Sequence, residues 1–536
     1  MNDESQPHIM CSGLAPEQVI LQSGESAGIN APDLPAKQEP FTADRNDGIL
    51  ALVAFALGFF FARWVLFSWQ GWGVTVFTLG YCGIVTRYLF KKGIRITRAG
   101  WFWLAVVIFT GLSFSLWNNN GLEPWRSLLL FGSAVYWIVC ATGLLILGKT
   151  SNWIGWDSFN SLFVIPIKNI GIQYKSLAFL SRNRRAEGRQ IVAVGLGLLL
   201  TLMVAGMVLP MLLKADSGGF GKITSGFLTY LQGIQGQLGE LIVDAILAVP
   251  IAAYIFGLVA GSAHRRGSLF QKDSLMEAMV KLKVMPMTTV YTFLGLLCTL
   301  YLVFVGSQIP YFFSAFIGQR PEGWQVYAEY ARSGFFELCR IAAINLSVLV
   351  LTNFMSAKRS QENIGLKLLN SLLALLTLVL IATAFSKMAM YIGAYGLSMR
   401  RLLPCFFMAF LTVVCIGVIA LQKWQFSMGR LAAGVGVVML CGLCLLDPDG
   451  YVTRYNADRY LAGTLSNFDV EILYRSGPAG VDAALQVYAE TNDPDLQAEL
   501  KQYLQLQQEL NTRVSGQPGD NLEKIRARNN IAELSL

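Results

Sequence analysis

Long apolar segments recur along this chain and determine its organisation. Between residues 48 and 446, runs of about 18 to 23 mostly apolar residues alternate with short polar loops, and each run is long enough to cross a bilayer core of about 30 Å as a helix. The pattern predicts an all-α fold, a polytopic transmembrane helix bundle. The eleven expected spans are 48–69, 72–90, 101–118, 127–148, 190–213, 240–262, 287–309, 334–356, 366–386, 403–422 and 430–446.

The two ends of the chain have a different pattern. Residues 1–47 show no apolar periodicity, which is typical of a disordered tail. The Asp-Pro-Asp-Gly sequence at 447–450 ends the last span, and apolar positions from Val481 onward recur with the period of a soluble amphipathic helix. The predicted domains are an acidic N-terminal tail (1–47), a transmembrane helical domain (48–446) and a soluble α-helical C-terminal domain (447–536).

Two loops carry apolar residues of their own. Residues 156–185 mix Phe, Ile and Leu with spaced Lys and end in an Arg cluster. This composition is typical of an amphipathic helix on an anionic leaflet, and a loop packed under the bundle is the alternative. Residues 214–237 are rich in Gly and suggest a mobile interfacial segment on the other side of the membrane.

Charge is distributed unevenly, and this predicts the orientation. The chain is 54% hydrophobic and 14% charged, with a net charge of +8, which indicates a membrane protein rather than a soluble one or one that binds nucleic acid. With a cytoplasmic N-terminus, the inside loops hold 21 Lys and Arg residues and the outside loops hold 8. The positive-inside rule therefore predicts a cytoplasmic N-terminus and an external C-terminal domain.

Charged and polar groups are concentrated where one span begins, in VYAEYARSGFFELCRIAAINL (326–346). Glu337 and Arg340 are three residues apart, so they can pair on one helix face and enter the membrane together. The stretch is interpreted either as an interfacial anchor or as a polar site for a substrate, lipid headgroup or partner. The candidate cluster consists of Tyr327, Glu329, Tyr330, Arg332, Glu337, Arg340 and Asn345, with Gln308 and Tyr311 as further partners.

A pair of carboxylates forms the second candidate site. Glu240 and Asp244 are four residues apart near the start of a predicted span, so their like charges share one helix face. A proton or metal cation could relieve the repulsion, and an external boundary pair facing water is the alternative. Arg63, near the outer end of the first span, is expected to extend to the interface without a functional role.

Four stretches in the second half of the chain resemble a known family. They are similar to signatures of bacterial multi-pass membrane proteins described as domain of unknown function 4173, with the related domain 4153. Ser398 stands where Thr is usual, and Lys387 where Arg is usual. In chain order the stretches are LGLLCTLYLVFVGSQIPYFF (294–313), YAEYARSGFFEL (327–338), SKMAMYIGAYGLSMRRL (386–402) and YVTRYNADRYLAGTLSNFDVEIL (451–473). The resemblance implies a location in a bacterial inner (plasma) membrane, and it implies no activity, substrate or catalytic residue.

Three classes of function remain open from the sequence. A membrane scaffold or sensor that engages a protein partner through its C-terminal domain is favoured, because it accounts for the soluble ends. A transporter or channel with a polar site near Glu240 and Asp244 or Glu337 and Arg340 is the alternative. A membrane-embedded enzyme ranks last, because the chain has only two His residues, far apart, and no nucleotide motif. We therefore expect no catalysis, no metal and no cofactor; the lipid bilayer is the one certain partner.

Overall fold

The computed structural model describes most of the chain as α-helix. The described residues are 41–66, 70–182, 235–266, 277, 281, 283, 285–316, 327–356 and 363–533. They form α-helices joined by short loops and by π and 3-10 turns, and no β-strand occurs among them. The predicted all-α class is confirmed.

Ten helical segments in these ranges are long and apolar enough to cross a membrane. They match ten of the eleven predicted spans; the other, 190–213, lies outside the described residues, as does most of 214–237. The helices concerned are α1 (Arg45–Phe61, continued by a π-helical turn, Ala62–Leu66), α2 (Gly71–Lys91), α3 (Arg98–Leu116), α4 (Glu123–Ala141), α7 (Gln235–Ala263), α8 (Met287–Phe316), α9 (Tyr327–Met355), α10 (Ile364–Tyr395), α11 (Met399–Leu421) and α12 (Met428–Leu445).

The first helix begins inside the segment that the sequence pattern assigned to the tail. Asp44 caps it by accepting a hydrogen bond from the Asp47 N–H, and the Asp47 side chain accepts one from the Asp44 N–H. This reciprocal arrangement satisfies amide groups that the start of a helix otherwise leaves free. Charged residues at a helix start are easily taken for a polar tail, because capping has no apolar signature.

The membrane helices form two groups connected by α12. Helices α1 to α4 pack with α7, and α8 to α11 surround a second core that includes Leu294, Phe335, Leu373 and Met408. Helix α12 contacts α3 on one side and α11 on the other. The last span therefore joins the two groups before the chain leaves the bundle.

The segment predicted as either an amphipathic helix or a packed loop is helical. It consists of α5 (Ile154–Phe159), a π-helical turn (Asn160–Val164) and α6 (Ile165–Arg182), and α6 packs against α1 and α7. Asn169 and Gln173 are buried on the bundle side, while Ile167 and Tyr174 are exposed. Both faces of this helix are mixed, since Ile165 and Ile172 are buried with the two amides while Lys168 and Lys175 are exposed beside the apolar residues.

The residues after the last span form a small helical bundle with its own core. Its helices are α13 (Pro448–Leu461), α14 (Val470–Ser476), α15 (Val481–Glu490), α16 (Pro494–Arg513) and α17 (Leu522–Ala532). Val481, Ala484, Leu500 and Tyr503 are fully buried in that core. The helical period noted at Val481 in the sequence is thus the inner face of α15. We refer to Pro448–Ala532 as the C-terminal helices.

Candidate functional site at the junction with the C-terminal helices

The loop between α3 and α4 is bound by acidic residues of the C-terminal helices. The Asn118 N–H donates to Glu523 Oε2 at 2.6 Å, and the Gly121 N–H donates to Asp449 Oδ2 at 3.0 Å. Asn119 has a positive φ of 47° and donates its amide to the Cys444 carbonyl at 2.9 Å. Buried backbone N–H groups need acceptors inside the fold, and these carboxyl oxygens supply them. The loop is therefore held by partners more than 300 residues away in the chain.

Arg126 lies beneath this loop and is completely buried. Its guanidinium donates to the carbonyls of Trp117 (2.9 Å) and Asn118 (2.8 Å) and lies 3.9 Å from the centre of the Phe114 ring. A cation here satisfies carbonyl groups that the end of α3 leaves without helical partners and complements the negative end of the helix dipole. The sequence pattern placed Arg126 in an outside loop, with no role.

The start of α2 is also completed by the C-terminal helices. The N–H groups of Trp72 and Gly73 donate to the carbonyls of Asp520 and Pro518, each at 2.9 Å. Gly71 has a φ of +73°, and a Cβ atom there would overlap the backbone around Gly519. Only glycine allows both this conformation and this close approach.

A third contact joins α13 to the turn between α10 and α11. Asn456 binds both backbone groups of Leu397, accepting from its N–H and donating to its carbonyl, each at 2.7 Å. Arg459 donates to the carbonyls of Ile392 (3.1 Å) and Gly393 (2.9 Å) at the end of α10. The C-terminal helices therefore contact both groups of membrane helices at one end of the bundle, which we call the junction end.

Burial changes the acidity of the junction side chains. Burial, together with the neighbouring charge of Asp447, raises the pKa of Glu523 to about 8 and that of Asp449 to about 6. Burial also lowers the pKa of Lys524, whose ammonium group donates to Gln70 Oε1 at 3.1 Å. Removing a charge from water disfavours its ionised form, and opposite charges nearby compensate only in part. The junction can therefore gain or lose protons near neutral pH.

Comparison with known proteins identifies the family. The family model described as Domain of unknown function (DUF4153) matches residues 104–487, well over half of the chain. The chain belongs to the DUF4153 family. No curated protein and no solved structure matches it. The match spans the α3–α4 loop, α4 and the C-terminal helices through most of α15, and membership assigns no activity.

Two of the stretches used for the family resemblance meet at the junction. Leu397 belongs to SKMAMYIGAYGLSMRRL, and Asn456 and Arg459 belong to YVTRYNADRYLAGTLSNFDVEIL. Their hydrogen bonds give these two segments of a DUF4153 protein a shared structural role, because side chains of the second satisfy backbone groups of the first. The resemblance to the related domain 4173 stays a prediction.

The predicted carboxylate pair has a cationic partner. Arg63 Nη1 lies 2.9 Å from Asp244 Oδ2 and 3.9 Å from Glu240 Oε2. The positive charge that the pair requires is thus supplied by the chain itself. Arg63, expected only to extend towards the interface, pairs across to α7 instead. Its partner was missed because the two residues are 181 positions apart.

The predicted cluster in 326–346 is divided by the structure. The side chains of Tyr327, Glu329 and Tyr330 lie outside the described part of α9, as do those of Gln308 and Tyr311 in α8. Arg332, Glu337 and Arg340 are described, and all three are exposed.

The expected Glu337–Arg340 pair does not form. Among the described contacts no ion pair within 4 Å joins these side chains, although their spacing permits one. Glu337 instead attracts Lys387 of α10, whose ammonium group packs against the backbone at Gly334. Because both side chains are exposed, neither requires the other for burial. That prediction was wrong.

Asn345, the last residue of the candidate cluster, joins three helices. It is fully buried, accepts from the Tyr301 hydroxyl at 2.6 Å and donates to Thr377 Oγ1 at 3.0 Å. Its partners lie on α8 and α10, so one amide connects the helices of the second group. A buried polar network of this kind specifies how helices pack in a membrane.

A further buried cluster was missed from the sequence. Asp47 is fully buried, with Lys92 Nζ at 2.8 Å, the Tyr88 hydroxyl at 2.7 Å and His264 Nε2 at 3.1 Å. It connects the start of α1, the end of α2 and the end of α7 at the end of the bundle opposite the junction. The sequence did contain one indication of this cluster, because Lys92 and His264 fall in loops predicted on the same side of the membrane. Among the described residues no group of His, Cys, Asp and Glu is arranged to hold a metal ion.

Proposed function

We propose that this DUF4153 protein is a membrane scaffold or sensor of the bacterial inner membrane. Its C-terminal helices form an external platform that engages a protein partner, and the bundle holds that platform in a fixed position. It is not an enzyme. The observation that carries the proposal is the three-point attachment of the C-terminal helices to α2, the α3–α4 loop and the α10–α11 turn.

The attachment supports a scaffold because it spans both groups of membrane helices. C-terminal helices bound to only one group of membrane helices could change orientation relative to the other group. Because they are bound to both groups, a change in their position acts on both. The buried carboxylates Glu523 and Asp449 support a sensing role, because protonation would change the charge of the contact near neutral pH.

Charge supports an external C-terminal platform and a cytoplasmic N-terminus. Lys91, Lys92, Arg95 and Arg98 are at the end of the bundle opposite the junction, with the start of α1. Basic loops favour the cytoplasmic side.

Transport is less well supported. The Glu240 and Asp244 carboxylates were the main argument for a cation path, and Arg63 already provides their counter-charge. A transport site would also require the two helix groups to move apart, and the C-terminal helices bridge them.

The partner proposal is tested by photocrosslinking in native membranes. A photoreactive amino acid replaces Tyr474 of α14, which is 40% exposed, in the full-length protein. The matched control carries the same group at Tyr174 of α6, which is 72% exposed at the opposite end of the bundle. We expect one recurrent protein to be captured from position 474 and not from position 174.

Two results would overturn the proposal. One is an identical set of captured proteins at both positions. The other is solute or ion uptake into liposomes by the purified protein that is lost in Asp244→Asn, which would establish the transport function instead.

A further inference from the structure

A cavity of about 320 Å³ lies between α1, α2, α4 and α7. Its walls are apolar side chains, with Tyr81 and Leu258 buried at the back. Phe131 and Pro250 line the cavity and are exposed, so its wall reaches the surface of the bundle on α4 and α7, where the Phe131 ring stacks on Tyr254 at 6.4 Å. A cavity of this shape and chemistry suits a flexible hydrocarbon chain.

The cavity lies at the depth of lipid acyl chains. In α2 its lining begins at Phe77, six residues after Gly71, and in α4 at Leu130, seven residues after Glu123, which places these two walls about 9–10 Å from the junction end at 1.5 Å per residue. In the first helical segment the lining extends to Val65, one residue before that segment ends at Leu66, so on this side the cavity reaches the junction end. One leaflet contributes about 15 Å of hydrocarbon, so the cavity spans the depth of the chains of the leaflet at that end.

A charged group lies beside the part of the cavity nearest the junction end, because Arg63 stands between the lining residues Phe61 and Val65 in the first helical segment. Asp244 precedes the lining residue Ile251 by seven residues, so both lie on one face of α7, about 10 Å apart along the helix axis. Arg63 binds Asp244 through Nη1 and is 35% exposed. Glu240, on the same face of α7, has a side chain that is 70% exposed.

The charges at this position complement a zwitterionic headgroup. In the described contacts Arg63 binds Asp244 and Glu240 through one nitrogen, Nη1. A guanidinium group has five N–H donors, so the N–H groups on its other nitrogens can donate to a phosphate. The exposed carboxylate of Glu240 can accept a primary ammonium group. A headgroup that is only anionic would meet two carboxylates and one guanidinium, a net negative site.

We propose that the cavity and the Arg63–Glu240 pair form a binding site for a phospholipid with a primary-amine headgroup, phosphatidylethanolamine. One acyl chain fills the cavity, the phosphate lies against Arg63, and the ammonium group pairs with Glu240. The site is independent of the proposed partner binding, because it lies on the lateral surface of the first helix group.

The test is native mass spectrometry of the full-length protein in detergent. Phosphatidylethanolamine and phosphatidylglycerol with identical acyl chains are added in turn, and bound lipid is counted. We expect saturable binding with a preference for phosphatidylethanolamine of up to about fivefold, the size of one exposed ion pair. Glu240→Gln should reduce this preference to about one without abolishing binding.

The cavity itself is tested by filling it. Ala134→Phe places a ring in the cavity and should weaken binding of both lipids at least about tenfold, because several methylene groups lose their buried site. Gly132→Phe is the matched control on the same helix, since a Cβ atom there meets nothing within 4 Å. If Ala134→Phe fails to fold, as judged by its melting, Ala134→Leu makes the same test with a smaller side chain.

Three outcomes would overturn the proposal. If the lipids bind the Ala134→Phe and Gly132→Phe variants equally well, the cavity is not occupied. Equal or stronger binding of phosphatidylglycerol to the unmodified protein would contradict the headgroup assignment, and binding that does not saturate would exclude a defined site.

Discussion

Two arginines on the membrane helices have opposite surroundings. Arg126, in the first turn of α4, is completely buried and donates to carbonyls at the end of α3, with Glu523 and Asp449 bound to the same loop. Arg340, in the fourth turn of α9, is exposed and forms no ion pair with Glu337 in the described contacts. One is enclosed by the C-terminal helices, and the other is not.

The difference shows that local spacing is a poor guide to which charges are paired. Glu337 and Arg340 have helical spacing and were expected to meet, and Glu123 has the same spacing from Arg126, yet neither pair forms an ion pair within 4 Å in the described contacts. Arg126 donates instead to carbonyls of the α3–α4 loop, and that loop is bound by Glu523 and Asp449, more than 300 positions later in the chain. Burial, rather than proximity in sequence, determines which charge the fold depends on.

Replacement of Arg126 should have the largest effect. In Arg126→Met the carbonyls at the end of α3 lose their donor and the buried carboxylates lose their nearest cation, so we expect a loss of about 3–5 kcal/mol in the free energy of unfolding. Arg340→Met, the matched control, should change it by less than about 0.5 kcal/mol. Denaturant titration in detergent measures both, and equal effects would remove the distinction between the two arginines.

Ionisation of Glu523 should make the junction less stable as the pH rises. Its pKa in the folded protein, about 8, is above the ordinary value of 4.5, so its stabilising contribution is complete below pH 4.5 and is lost as the pH rises through 8. Between pH 6.5 and 8, where Asp449 is already ionised, we expect a loss of about 2 kcal/mol.

Glu523→Gln provides the control for this pH dependence. Its amide oxygen can still accept from the Asn118 N–H, but the side chain does not ionise. Between pH 6.5 and 8 the melting temperature should change less with pH for the variant than for the unmodified protein. The same change of melting temperature with pH in both proteins would mean that Glu523 does not titrate in this range.

Gly71→Ala tests the contact at the start of α2. The positive φ and the overlap with the backbone near Gly519 should together cost about 1–3 kcal/mol. Gly80→Ala in the middle of the same helix has free space around the added methyl group and should be neutral or slightly stabilising. Limited proteolysis between α16 and α17 should be faster for Gly71→Ala only; equal rates in both variants would contradict the contact.

The smallest effect on stability is expected for Glu337 and Arg340, the ion pair that the sequence pattern predicted. Glu337→Gln, Arg340→Met and their combination form a double-mutant cycle, and we expect a coupling energy below about 0.5 kcal/mol because the side chains are exposed and apart. A larger favourable coupling would restore the ion pair between these two residues of α9.

The fold was predictable to a greater extent than the site. The apolar runs predicted the ten membrane helices, and the apolar period at Val481 predicted the buried face of α15. Both features depend on the burial of residues close together in the chain. The junction was not predictable, because Glu523 and Asp449 look like ordinary residues of soluble helices until they meet the α3–α4 loop.

Ion pairs across distant helices were missed for the same reason. Asp47 was assigned to the tail and Arg63 to the membrane interface, yet both have partners more than 40 residues away. Asn345 was identified as a candidate because a polar residue in the middle of an apolar span is costly without a partner, and that argument needs no knowledge of the partner.

The central claim is that the C-terminal helices are bound firmly to the bundle, and amide hydrogen exchange tests it most directly. The N–H groups of Trp72, Gly73 and Asn118 have acceptors on the C-terminal helices or on the loop before α17, whereas the Gln425 N–H, between α11 and α12, has none among the described contacts. We predict that the first three exchange at least about 100-fold more slowly than Gln425, because their exposure requires the junction to open. Exchange of all four at similar rates would contradict the claim.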